Sequence, residues 1–254
     1  MSRKLAFGYG IASYIFFLIV FLYAIGFVGN LVVPKGIDSG LTGSIGSSLL
    51  VDALLLGVFA VQHSVMARPG FKKWWTKIVP KSIERTTYVL LANLALVLLF
   101  WQWRPLPEAV WNVNTSWALG ILWGICALGW MIVLTATFMI SHWHLFGLQQ
   151  VSEQLHGKPI SEPKFMTPGY YRLIRHPIMA GFLIAFWATP HMTIGHLFFS
   201  IAVTGYILIA VQFEQHDLVR SFGERYIAYM RQVPAFIPRL FRGGVSRSGE
   251  TEKV

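Results

Sequence analysis

Long apolar runs limit what this chain can become. Leu5–Val33, Ile45–Met66, Thr86–Trp103, Trp117–Ile140 and Thr193–Phe213 all reach the roughly 17–25 residues a helix needs to cross about 30 Å of hydrocarbon. Inside a bilayer the backbone must satisfy its own polar groups, so such runs span as helices. Pro177–Thr189 is also apolar but too short to cross comfortably alone. With Thr189-Pro-His-Met-Thr193 as its turn, it reads as the first arm of a helical hairpin with Thr193–Phe213. The expected fold is therefore all-α: a polytopic helical membrane protein of about five full spans, its last two segments paired as a hairpin.

The first run follows Arg3 and Lys4 and exceeds the length of a signal-peptide core, so it reads as a span. Basic residues gather at alternate ends of the runs: Arg68 to Arg85, then Lys158, Lys164, Arg172 and Arg175, then the C-terminal tail. The loops between carry few, which puts both termini and the basic ends on the cytoplasmic side of a bacterial inner membrane. With 13% charged residues and a net charge of +10, the cationic loops suit anionic lipid headgroups, and no nucleic-acid module is present. Residues 215–232 place Leu218, Phe222, Tyr226 and Tyr229 at helical spacing, as an amphipathic helix lying in the interface would. The tail from Arg239 to Val254 is rich in Gly, Ser and charge and reads as disordered. The expected organisation is an N-terminal bundle over 1–143, a core over 144–238 and the tail over 239–254. No feature sets an oligomeric state.

Between apolar runs lies Thr167-Pro-Gly-Tyr-Tyr-Arg-Leu-Ile-Arg-His-Pro-Ile-Met-Ala-Gly181. Pro177 suits a first helical position, where a missing N–H costs nothing. The free amides of that turn, beside Arg175 and His176, favour a carboxylate-bearing ligand. A second polar knot, Phe213-Glu-Gln-His-Asp-Leu218, leads into Phe222-Gly-Glu-Arg-Tyr-Ile-Ala-Tyr229. Histidines recur at His63 and in Ser141-His-Trp-His144. Imidazoles can ligate metals, but His142 and His144 point to different helix faces and no carboxylate cluster joins them, so no metal site is expected. The single cysteine, Cys126, allows neither an intramolecular disulfide nor a cysteine cage.

Gly-x-Tyr-x-x-x-Arg-His-Pro-x-x-x-Gly, a hairpin, and then Glu214-Gln215 before Phe-Gly-x-x-Tyr-x-x-Tyr resemble the integral-membrane methyltransferases that use S-adenosylmethionine, whose own pattern has two glutamates at that pair. These include the isoprenylcysteine carboxyl and phospholipid N-methyltransferases. Gln62-His-Ser-Val-Met-Ala-Arg-Pro69 and Ile83-Glu-Arg-Thr-Thr-Tyr88 resemble the NnrU-like branch.

The resemblance implies that Tyr171, His176, Pro177, Ile178 and Met179 line the cofactor, that Phe165 and Met166 cover its adenine, and that Glu214 receives the ammonium of its methionine part. The family's acidic pair is Glu214-Gln215 here, so either residue can make that contact. Gln149, or equally Gln150, matches an upstream glutamine. The implied activity is methyl transfer to a small thiol, methanethiol first, giving dimethyl sulfide. The thiolate is the competent nucleophile, so a histidine base is useful. His144 is the first choice, with Arg175 as an electrostatic aid and His63 and His142 on the substrate side. Alternatively, the sulfonium's field lowers the thiol pKa and the thiolate binds directly. A lipid or isoprenoid-linked acceptor is the alternative within the family. A non-catalytic heme- or metal-handling membrane protein is the alternative outside it.

Overall fold

The computed structural model describes residues 1–162 and 164–239. Among the described residues, five helices are long and apolar enough to cross a membrane: α1 (Arg3–Gly29), α2 (Ile45–Ala67), α4 (Lys81–Gln102), α5 (Ser116–Ile140) and α9 (Ile194–Phe222). Between them lie the short helices α3 (Pro69–Trp75), α6 (His142–Leu145), α7 (Leu148–Leu155), α8 (Pro177–Trp187) and, last, α10 (Glu224–Gln232). The chain is a polytopic helical membrane protein. Ile11, Ile15, Ile19 and Leu22 recur at three- and four-residue spacing on α1 and are exposed. That stripe would be costly in water and is at home against lipid tails.

At 11 residues, α8 is about 16 Å long at 1.5 Å per residue, half a membrane. It reaches only as far as a chain reversal, where β2 (His191–Thr193) pairs antiparallel with β1 (Ala109–Asn112), Trp111 opposite Met192. This small ladder was not expected of an all-α chain. It satisfies the backbone of two loops that meet where helices have ended.

α8 packs against α5 at backbone contact. A Cβ on Gly129 would stand 2.6 Å from the Ala185 nitrogen, and one on Gly181 would stand 2.7 Å from the Gly129 oxygen. Small residues let membrane helices approach this closely, and van der Waals contact then holds them. Beside this seam the core is aromatic: Phe27, Phe100, Trp103, Trp130, Phe186 and Phe199 are buried together.

Two expectations need correction. Residues 215–232 are not one interfacial helix, because α9 runs unbroken to Phe222 and only Glu224–Gln232 form a separate helix. The break comes at Gly223, whose φ of +57° suits glycine, while nothing from Glu214 to Phe222 interrupts helical hydrogen bonding. The third long helix begins at Lys81 rather than Thr86, which makes Glu84 and Arg85 part of its first turns. The expected tail beyond Arg239 lies outside the described residues.

Candidate active site

The ends of α2, α5 and α9, the starts of α4 and α8, and all of α3, α6, α7 and α10 gather at one end of the bundle. The entry to α8 is built there. At Gly169 (φ +50°) a Cβ would collide with Met139 Sδ, so glycine alone lets the chain turn beside α5. A 3-10 turn over Gly169–Arg172 follows, and the chain then runs alongside the segment after α10. There Arg175 N–H donates to the Pro234 carbonyl (2.9 Å) and His176 N–H to that of Ala235 (3.1 Å). The Arg175 guanidinium donates to the carbonyls of Met230 (3.0 Å) and Val233, a cation at the carbonyl end of α10. Its other arm reaches Gln215 Oε1 at 3.4 Å. Arg175 thereby ties α10 to α9.

That contact orients the next two. Since Gln215 Oε1 faces Arg175, its amide nitrogen donates to His176 Nε2 at 3.1 Å. His176 Nε2 is then an acceptor, and the ring proton sits on Nδ1, 3.4 Å from Glu214 Oε2. Both His176 and Gln215 are buried. Glu214, with 43% of its side chain exposed, is the member of this group that opens outward. Its charge acts on four rings, Tyr171, Tyr226, His63 and Tyr88. Burial first, and Glu214 second, push the Tyr171 hydroxyl far above the ordinary tyrosine range. The Tyr226 hydroxyl is pushed up to about 12 by the same two causes, against the pull of Arg175. Phe165 packs on Phe222, Tyr226 and Tyr229 with ring centroids 5.4–6.0 Å apart, forming an aromatic wall. Ile178 and Met179 are half-buried in the first turn of α8, Pro177 is buried, and Met166 is exposed.

The histidines separate clearly. His63, on α2, stacks on Phe59 (5.2 Å) and meets the Tyr88 hydroxyl of α4 at 2.9 Å. It shares the field of Glu214. His142 faces away, with Nε2 2.8 Å from Tyr14 Oη and Nδ1 2.8 Å from Thr137 Oγ1. Thr137 spends its own proton on the Leu134 carbonyl (2.7 Å). His142 Nδ1–H must therefore donate to Thr137, and Nε2 accepts from Tyr14. Burial holds its pKa below the usual histidine value, which disfavours the charged ring.

Removing the acceptor's partner with Tyr14→Phe should cost about 1–3 kcal/mol of stability without raising KM, as a thermal melt beside steady-state kinetics would establish. A depressed histidine pKa also means that stability is full above the unfolded value of about 6.5 and falls as pH drops below it. His144, half-buried, has Nε2 3.4 Å from the Ser161 carbonyl. Nearby, Gln149 donates to Glu153 (2.9 Å) and Ser161 (2.8 Å), while Gln150 holds the His144 carbonyl (3.1 Å). Burial opposes the charge on Glu153, but these bonds from Ser161 and Gln149 outweigh it and keep its pKa below the carboxylate norm. Gln149, Gln150 and His144 thus brace the loop leading to Phe165.

Sequence reasoning missed Tyr88, the Arg68–Asp217 ion pair (2.8 Å) and the Ser64–Tyr206 contact (3.2 Å) that joins α2 to α9. A signal existed in Ile83-Glu-Arg-Thr-Thr-Tyr88, where Arg85 and Tyr88 share a helix face at i, i+3. Among the described residues no group of His, Cys, Asp and Glu can hold a metal ion. The donor set does fit a ligand with an ammonium at one end and a flat ring at the other. Glu214 offers a partly exposed carboxylate beside His176 (3.4 Å), and Phe165, packed on Phe222, Tyr226 and Tyr229 with the Arg225 guanidinium 5.7 Å from its centroid, offers an aromatic wall.

The model of the NnrU protein family matches residues 51–224. A methanethiol S-methyltransferase of Mycobacterium tuberculosis is 55% identical over 238 residues, 94% of this chain and 98% of that one. Methanethiol S-methyltransferase 2 of Bradyrhizobium diazoefficiens is 53% identical, covering 92% and 90%. The methanethiol S-methyltransferase of Crocosphaera subtropica is 48% identical, covering 94% and 93%. No solved structure matches the chain.

Proposed function

The chain belongs to the NnrU protein family, and from that premise we propose that it is a membrane S-methyltransferase making dimethyl sulfide from methanethiol and S-adenosylmethionine. Its active site lies at the basic, cytoplasmic end of the bundle. Relatives named as methanethiol S-methyltransferases match across nearly the whole chain. The observation that carries the reading is the array at the entry to α8, where a partly exposed Glu214 carboxylate lies 3.4 Å from His176 Nδ1 and the buried Gln215 amide holds His176 Nε2 at 3.1 Å. The carboxyl-terminal half provides the donor's seat and the amino-terminal half a proton acceptor.

Bound there, S-adenosylmethionine supplies an electrophilic methyl on a sulfonium and departs as S-adenosylhomocysteine. Glu214 receives the donor's ammonium in a charge-assisted hydrogen bond. His176 holds that carboxylate in place, and the Phe165 wall takes the adenine. A small thiol's pKa lies above 7, so its S–H proton must leave for the sulfur lone pair to attack the methyl. We assign that role to His63, whose only side-chain hydrogen-bond partner among the described residues is the Tyr88 hydroxyl (3.0 Å from Nδ1 and 2.9 Å from Nε2). His144 is occupied with the Ser161 carbonyl, and His142 has both nitrogens committed.

Headspace gas chromatography of purified protein with S-adenosylmethionine and methanethiol should show dimethyl sulfide in proportion to enzyme. Cofactor binding without product would retain the transferase and discard the acceptor. With His63→Ala, turnover at neutral pH should drop by roughly a hundredfold or more and recover as pH rises and hydroxide makes the thiolate. A loss equal at every pH would make His63 a positioning residue.

A further inference from the structure

Three cations of the amino-terminal half, Arg68, Lys72 and Arg85, stand at the end of the bundle that holds Glu214, and among the described residues two of them form no ion pair. Arg68 is neutralised by Asp217 at 2.8 Å. Arg85, one turn into α4, donates through Nε to the Leu145 carbonyl (2.7 Å) and lies 4.9 Å above the Tyr88 ring. Tyr88 is the residue that holds His63. Among the described residues, the two terminal nitrogens of Arg85 and the Lys72 ammonium make no hydrogen bond or ion pair.

Lys72 is half-buried on α3, one turn beyond Arg68, whose carbonyl its N–H reaches at 3.0 Å. Burial and then the Arg85 charge hold its pKa below the usual lysine range. Glu84 and Asp217 pull the other way, but Asp217 is taken by Arg68 and Glu84 forms no ion pair among the described residues. Cations brought together out of water without a counter-charge are costly unless an anion completes the group.

We infer that Lys72 and Arg85 form an anion seat that takes the carboxylate of the methyl donor's amino-acid head, opposite the ammonium seat at Glu214. The inference rests on the proposed methyl-transfer function and extends it. A zwitterionic head has its two charges on one carbon, so a site that reads it needs an acid and a base facing one another. The carboxyl-terminal half offers the acid. Its own arginine at the site, Arg175, is committed to the carbonyls of Met230 and Val233, so the base comes from α3 and α4. The binding site is then completed by both halves of the chain, and the amino-terminal half reads the donor as well as the thiol.

Isothermal titration of the full-length protein in a neutral detergent tests this with two probes, S-adenosylhomocysteine and 5′-methylthioadenosine, which lacks the amino-acid head. Lys72→Gln and Arg85→Gln should each weaken S-adenosylhomocysteine about tenfold or more, in keeping with the loss of one charge-assisted contact. Each should leave 5′-methylthioadenosine within about twofold, and Arg85→Lys should restore part of the loss. Unchanged S-adenosylhomocysteine affinity in Lys72→Gln, which removes no hydrogen bond, overturns the inference. So does an equal loss for both probes in that variant. If the two cations serve an anionic lipid headgroup instead, added phosphatidylglycerol will weaken S-adenosylhomocysteine in the wild type but not in Lys72→Gln, which also overturns it. A wild-type protein that binds neither probe would count against the methyltransferase reading itself.

Discussion

Gly129→Ala should leave little folded protein to purify, and Gly181→Ala should behave the same way. The added methyl would meet backbone on the facing helix, the Ala185 nitrogen at 2.6 Å in the first case and the Gly129 oxygen at 2.7 Å in the second. Backbone cannot rotate away as a side chain can. α5 and α8 would have to separate, losing dispersion contact along the seam and disturbing the Cys126 Sγ contact with the Ala185 carbonyl (3.4 Å). The expected cost is about 3 kcal/mol, at the upper end for overpacked cores.

Since α8 starts at Pro177, directly after His176, any surviving protein should also lose cofactor affinity. The controls lie on the same helix: Gly120 and Gly124 have nothing within 4 Å of a built Cβ, so alanine there should be neutral or slightly stabilising. Thermal unfolding in detergent, followed by circular dichroism, compares the four. Equal melting of Gly124→Ala and Gly129→Ala would remove the seam from the account.

Glu214→Gln should weaken S-adenosylhomocysteine by roughly 10- to 150-fold, because a hydrogen bond to a charged partner contributes about 1.5–3 kcal/mol. Gln215→Glu should harm the same site by a different route. Gln215 accepts from Arg175 and donates to His176, and a carboxylate can only accept. His176 Nε2 would then need a proton of its own, making the ring an imidazolium flanked by two carboxylates. Glu214 would be drawn inward, its charge offset before any ligand arrives.

Nitrogen-15 spectra of the histidine side chains report this directly. The wild type should show His176 protonated on Nδ1 alone, and Gln215→Glu should show it protonated on both nitrogens, with affinity down about tenfold. A wild-type ring protonated on Nε2 would sink the hydrogen-bond assignment, whatever the affinities.

The sequence alone determined the membrane architecture, because hydrocarbon imposes a length that Ile45–Met66 or Trp117–Ile140 satisfies regardless of neighbours. It also determined that Pro177–Thr189 would stop short, and that Arg175, His176 and Pro177 would stand at a helix entrance, since proline's missing N–H is local chemistry. His142 and His63 were harder to tell apart: each is a polar residue near the end of an apolar run. One became a closed, neutral contact because Tyr14 and Thr137 approach it from α1 and α5. The other became a neighbour of Glu214's field because α2 packs beside α4 and α9. Gln215, which reads as a departure from an acidic pair, acquired its role as a donor only when Arg175 and His176 were folded onto either side of it. Span length and helix entry depend on residues close in sequence. Hydrogen-bond partners and cation neighbours depend on which helices touch, and only the packing of the bundle decides that.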